Sequence, residues 1–132
     1  MKPRVLFVCV ENSCRSQMAE GFARLHGVGK VEAFSAGSRP SGKINETAVA
    51  VMKEKGVDLG LQNSKGLDGL PPGKFAAVVT MGCGDACPHL PAERRLDWAL
   101  PDPKRLPLDE FRAVRDEIES RVKDLLREFP AP

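Results

Sequence analysis

Four side chains fit for nucleophilic or redox chemistry, Cys9, Cys14, Cys83 and Cys87, fall in two short segments of a 132-residue chain. The first, Cys9-Val10-Glu11-Asn12-Ser13-Cys14-Arg15-Ser16, follows the apolar run Val5 to Val8 and precedes apolar positions at helical spacing. A loop that enters a helix in this way offers unpaired backbone N–H groups and the positive end of the helix dipole, both of which favour an anion. A tetrahedral oxyanion fits such a cradle. Arg15 adds a planar guanidinium able to hold two oxygens at once, and the same positive field favours the thiolate form of Cys9, a nucleophile. Ser16, read as the helix N-cap, can also donate a hydrogen bond to that thiolate. Five residues between Cys and Arg is weak evidence alone, since four cysteines and 11 arginines supply about a third of such a pair by chance. The strand end before it and the helix start behind it carry the reading. The ordinary alternative is a buried cysteine beside a surface arginine.

The second segment, Met81-Gly-Cys83-Gly-Asp-Ala-Cys87-Pro-His89, follows another apolar run and is flanked by glycine. Two thiols with three residues between them can close a disulfide if the loop deforms. Zinc held by Cys83, Cys87 and His89 is the competing use, but it lacks a fourth ligand and a usual finger spacing. Farther on, Pro101-Asp102-Pro103 holds a carboxyl on a stiff turn. That carboxyl suits a general acid for a departing hydroxide or alkoxide, and equally an ordinary turn aspartate.

These loops need elements to position them. Val5 to Val8 is continuously apolar with β-branched valines at both ends, as in a strand buried on both faces of a parallel sheet. Met18, Phe22 and Leu25 predict a helix from Ser16 to His26 that stops at Gly27. Val31 to Ser35 reads as a second strand, and Asn45 opens a second helix through Ala48 and Met52 to Gly56. Residues 63–72 read as a short helical turn and loop, Phe75 to Thr80 as a strand, 82–91 as irregular, and Leu96 to Ala99 as a last short strand. The closing helix is the clearest element: Phe111, Val114, Ile118, Val122, Leu125 and Phe129 step by three or four, with exposed Glu117–Arg121 and Glu119–Lys123 pairs. Strands alternating with helices predict one α/β domain over residues 1–132, with ligands bound beyond the carboxyl ends of parallel strands.

Composition narrows the function classes. Twenty basic and 18 acidic residues leave a formal charge of +2 with the signs interleaved, which advertises neither nucleic-acid nor lipid binding. The longest apolar stretch, Val5 to Val10, is far short of the roughly 20 residues that span a bilayer, so a cytoplasmic protein is expected. In a reducing cytosol the cysteines read as chemistry rather than scaffolding.

The run Cys9-Val-Glu-Asn-Ser-Cys-Arg-Ser-Gln-Met-Ala-Glu20 resembles the signature of the low-molecular-weight protein tyrosine phosphatase superfamily, and within it the arsenate reductases built on that fold. The resemblance continues through Ser35-Ala36-Gly37, the Thr80 to Pro88 cysteine loop, Trp98, Asp102-Pro103 and Phe111 to Ile118, nearly the whole chain. It implies a flavodoxin-like three-layer α/β/α sandwich with a four-stranded parallel sheet. It further implies that Val10, Glu11, Asn12, Ser13, Cys14, Arg15 and Ser16 hold arsenate, phosphate or sulfate, that Cys9 attacks, and that Asp102 is the general acid. Cys83 would then attack the Cys9 sulfur and expel arsenite, Cys87 would attack Cys83, and thioredoxin would reduce the resulting disulfide. The enzyme so implied is a monomer with no metal or organic cofactor, serving arsenic detoxification. Two rivals remain: a phosphatase for phosphotyrosine or aryl phosphates, and a non-enzymatic arsenite-binding protein using Cys9, Cys83 and Cys87. Two features depart from the family pattern. The last two cysteines are closer together than in better-known thioredoxin-coupled members. Ser64 is followed by Lys65, where some members carry an acidic residue that completes a potassium site with the positions of Asn12, Glu20 and Ser35. Lys65 is then either an ammonium that replaces the cation beside Glu20 or an ordinary surface residue.

Overall fold

A computed structural model describes residues 2–82 and 90–131. In chain order the elements are β1 (Arg4–Cys9), α1 (Arg15–His26), β2 (Glu32–Gly37), α2 (Glu46–Lys53), β3 (Phe75–Thr80), β4 (Ala92–Asp97) and α3 (Leu108–Leu126), with 3₁₀ turns at Leu59–Leu61, Leu67–Gly69 and Pro103–Arg105. The four strands form one parallel sheet in the order β2-β1-β3-β4. Neighbouring β1 and β3 are separated in sequence by β2 and α2, so the strand order reverses beside β1. In such sheets the crevice at that reversal is where ligands bind. The register pairs Cys9 with Gly37 and Val8 with Thr80, which lines up the strand ends at one edge.

Side chains alternate across the sheet as a period of two requires. Val5, Phe7 and Cys9 face the larger core, shared with α1, α2 and α3, where Met18, Phe22, Met52 and Ile118 are fully buried. Each such aliphatic or aromatic side chain contributes about 2 kcal/mol by leaving water. Leu6, Val8, Ala36, Phe75 and Val78 face the other side, covered by Leu67, Leu70 and Leu90. Among the described residues the two faces of this α/β sandwich are covered unequally, one by helices and the other by turn and loop. Among the described residues no helix is long and apolar enough to cross a membrane.

Several boundaries differ from the sequence expectation. β4 runs over Ala92–Asp97 and not from Leu96 to Ala99. Its Glu93, Arg94 and Arg95 are exposed because β4 is an edge strand, and charged residues there discourage pairing with another chain but hide the apolar signal. Leu25, expected on the core face of α1, is 43% exposed, since Met18, Ala19, Phe22 and Ala23 already fill that face. α1 starts at Arg15, with Cys14 in the capping position and no side-chain cap. Ser16 thus lies inside the helix and is not its N-cap. The stop at Gly27 holds, its N–H reaching Ala23 O at 2.8 Å, as does Asn45 as the cap of α2, where Oδ1 accepts from Ala48 N at 3.0 Å. α2 is braced against α3 by the buried Arg115, which donates to Val51 O at 2.9 Å and to Glu54 at 2.6 Å. Hydrogen bonds from Arg112 and then Arg115 hold the Glu54 carboxyl down at about 2.

Candidate active site

Beyond the end of β1 the chain turns through residues 10–14 into α1, and every carbonyl of the turn is taken by a donor from outside the Cys9 pocket. Cys9 O accepts from Ser38 N at 3.3 Å, Val10 O from Arg39 N at 2.8 Å, and Glu11 O from Ser41 N and Ser64 Oγ, both at 3.1 Å. Asn12 O accepts from Gln17 Nε2 at 3.2 Å, Ser13 O from the cap residue Asn45 N at 3.1 Å, and Cys14 O from Met18 N at 2.9 Å. With these carbonyls bound elsewhere, the N–H groups of residues 10–14 meet no acceptor among the described residues and remain available as donors. That is a nest of oriented donors for an anion.

Asn12 sets the turn's shape. It is fully buried and the only described residue other than glycine with a positive φ, 50°. That conformation costs about 1 to 2 kcal/mol and persists only where the surroundings enforce it. Here Asn12 Oδ1 accepts from Gln17 Nε2 at 2.8 Å and from Lys65 N at 2.9 Å, while Nδ2 donates to Ser16 Oγ at 2.7 Å. Ser16 Oγ in turn lies 2.8 Å from Cys9 Sγ. The serine oxygen accepts from Asn12, and its own hydrogen is free to point at sulfur. The hydrogen bond expected of Ser16 is thus present, although Ser16 is not a cap. Gly37 packs against the same turn, where a Cβ would come within 2.6 Å of Val10 O.

The pocket in front of Cys9 has a volume of about 240 Å³ and is lined by Cys9, Val10, Glu11, Ser13, Cys14, Arg15, Asp102 and Lys104. Arg15 is buried, and its Nη1 donates to Leu100 O at 3.1 Å. Asp102 Oδ2 lies 3.9 Å from Arg15 Nη2, and its Oδ1 accepts from Lys104 N at 3.0 Å. Asp102 therefore caps its turn through Oδ1, as an ordinary turn aspartate does, and also lines the Cys9 pocket. Burial, and after it the Asp102 carboxylate, push the Cys14 thiol up to about 12, so Cys14 stays protonated at neutral pH and is no competing nucleophile. Trp98 lies in the core against Phe7, ring centroids 5.9 Å apart, and not on the pocket wall.

Lys65 is not an idle surface residue. Its ammonium donates to Asn63 O at 2.9 Å and to Ser35 Oγ at 3.1 Å and lies 3.3 Å from Glu20 Oε1. Glu20, buried, also binds Ser35 Oγ and pairs with Arg24 at 2.7 Å. A potassium ion does not fit among these groups, because an ammonium already neutralises the carboxylate.

Cys83, Cys87 and His89 lie outside the described residues, and with them both the disulfide and the zinc reading of that loop. Several residues that complete the site carry no local sequence signal. Gln17 and Lys65 reach Asn12 from a helix and a distant loop. Gly82 has φ +80°, and a Cβ there would come within 2.7 Å of Arg15 Nη1, so only glycine leaves the guanidinium its place. In the sequence Gly82 only flanks the cysteine segment; in the fold it serves Arg15.

Residues 4–131 match the model of the family described as low molecular weight phosphotyrosine protein phosphatase. An arsenate reductase of Halalkalibacterium halodurans is 40% identical over 132 residues, covering 92% of this chain and 94% of the relative. A glutaredoxin arsenate reductase of Synechocystis sp. is 39% identical, covering 93% and 95%. The solved structure of an arsenate reductase in its phosphate-binding state, 39% identical, superposes with a TM-score of 0.86 over 98% of this chain and all of that one.

Proposed function

The chain belongs to the low molecular weight phosphotyrosine protein phosphatase family, and from that premise we propose that it is an arsenate reductase working through a thiol relay. The observation that carries this is the turn of residues 10–14, whose N–H groups meet no acceptor among the described residues, beside a Cys9 sulfur in hydrogen-bond contact with Ser16. The turn's N–H groups and Arg15 bind the arsenate oxygens. The Cys9 thiolate attacks arsenic, and Asp102 supplies the proton that lets one oxygen leave as water, giving a Cys9–arsenic adduct. A phosphatase would now hydrolyse the equivalent adduct, but arsenic(V) can accept an electron pair. The Cys83 thiolate attacks the Cys9 sulfur, a Cys9–Cys83 disulfide forms, and the pair from the broken S–As bond leaves with arsenic as arsenite. Cys87 then attacks Cys83 and frees Cys9. The Cys83–Cys87 disulfide takes two electrons from an external dithiol, which we assign to a thioredoxin-like protein. The relative named glutaredoxin arsenate reductase makes glutaredoxin with glutathione the specific alternative donor.

Support for reduction over hydrolysis is the pair Cys83 and Cys87, which a simple phosphatase does not need. The test is single turnover by Cys87→Ser. Mixed with arsenate and no reductant, it is expected to release about one arsenite per protein and to stop with a Cys9–Cys83 disulfide, whereas the unaltered protein stops with Cys83–Cys87. Steady turnover of the variant with thioredoxin overturns the relay, and no arsenite at all assigns the first attack to Cys87. Parallel assays with thioredoxin and with glutaredoxin plus glutathione decide the donor.

A further inference from the structure

The Cys9 pocket has a neighbour. A second cleft of about 510 Å³ lies beside it, lined by Ser41, Lys43, Asn45 and Thr47 among others, and the two share Glu11, Ser13 and Lys104. At this boundary Lys104 Nζ meets both carboxylate oxygens of Glu11, at 3.0 and 3.4 Å. Both side chains are less than half exposed, 45% and 39%. The partners are 93 residues apart, one on the oxyanion turn and the other on the Pro103–Arg105 turn capped by Asp102.

A carboxylate at the mouth of an anion pocket is out of place, because it repels the charge that the turn is built to attract. Lys104 cancels that repulsion. The pair also stands where the two clefts meet, so a substituent on one oxyanion oxygen that reaches into the second cleft has to pass it. An inorganic oxyanion has no such substituent. A partly exposed ion pair is weak and so can part for entry and release. We propose that the Lys104–Glu11 pair is a latch that sets specificity, favouring inorganic tetrahedral oxyanions and obstructing their esters. The proposal rests on the reading of the Cys9 turn as the oxyanion site.

Lys104→Ala removes the side chain but keeps the backbone N–H that donates to Asp102 Oδ1, so the acid turn is retained. Two quantities move in opposite directions if the latch exists. The inhibition constant of inorganic phosphate rises about three- to tenfold, since Glu11 is left unneutralised near the anion. Meanwhile kcat/KM for p-nitrophenyl phosphate rises severalfold as the passage opens. Glu11→Ala/Lys104→Ala restores phosphate inhibition to within about twofold of the unaltered protein and keeps the gain toward the ester. Lys104→Arg retains the original ratio of the two. A fall in ester hydrolysis together with weaker phosphate inhibition would make Lys104 only a support of the Asp102 turn, and unchanged values would leave the pair without a role; either overturns the latch. Phosphate protection of Cys9 against iodoacetamide in the unaltered protein tests the underlying site separately. Its absence removes site and latch together, and its presence with unmoved constants removes the latch alone.

Discussion

On the Cys9 side of the pocket, each carbonyl from Cys9 to Cys14 is held by a hydrogen-bond donor, and Asn12 is buried in a left-handed conformation by three side-chain hydrogen bonds. On the Asp102 side, the carboxyl is 47% exposed, takes one backbone N–H, and faces Arg15 across 3.9 Å. The contrast separates two tasks. Binding and nucleophilic attack need donors fixed before the anion arrives, because any reorganisation then would be charged against the barrier. Proton delivery needs only a carboxyl within reach when the oxygen departs, and geometry of that kind can tighten on binding. The over-determined side should therefore fail completely when its reacting atom is changed, and the loosely held side by degrees.

The largest effect is expected at the sulfur. Cys9→Ser should lower arsenate reduction and any aryl phosphatase activity by at least about 10³-fold, since both use one nucleophile. Steady-state assays above a few per cent of the unaltered rate would place the nucleophile elsewhere. Next comes Asp102→Asn, for which kcat should fall about 10²-fold while phosphate inhibition changes little, as suits a group that acts in the transition state. Collapse of phosphate inhibition with kcat preserved would show that the aspartate only caps its turn.

Gly82→Ala probes the joint between the two sides. A Cβ placed 2.7 Å from Arg15 Nη1, on a backbone at φ +80°, should push the guanidinium off Leu100 O and weaken oxyanion binding about tenfold. Isothermal titration with phosphate measures it, and unchanged affinity would mean that Arg15 reaches the anion by another rotamer. Smallest of all is the response to potassium. With the Lys65 ammonium beside Glu20 and Ser35, replacing potassium by sodium at constant ionic strength should change kcat/KM by less than about twofold. A large potassium-specific rise in activity or melting temperature would mean that the ammonium leaves Glu20 in solution.

Patterns that repeat within one turn of helix or two residues of strand were legible in the chain alone. The apolar run Val5 to Val8, the apolar steps of α3 and the Asn45 cap each report a local geometry, and the strand, Cys9, Arg15, helix order points to an anion cradle without any partner being known. Other features follow from contacts between distant segments. That Asn12 is left-handed depends on Lys65 N, 53 residues away, and on Gln17; that Glu20 meets an ammonium depends on the Lys65 loop crossing the end of β2; that Gly82 shelters Arg15 depends on β3 lying beside β1. β4 misled the sequence reading for the same reason, since its charged residues make sense only once it is an edge. Local periodicity is fixed by the covalent geometry of the backbone, whereas the partner of a polar side chain is set by whichever distant segment the folded sheet brings within 3 Å, and no spacing along the chain records that.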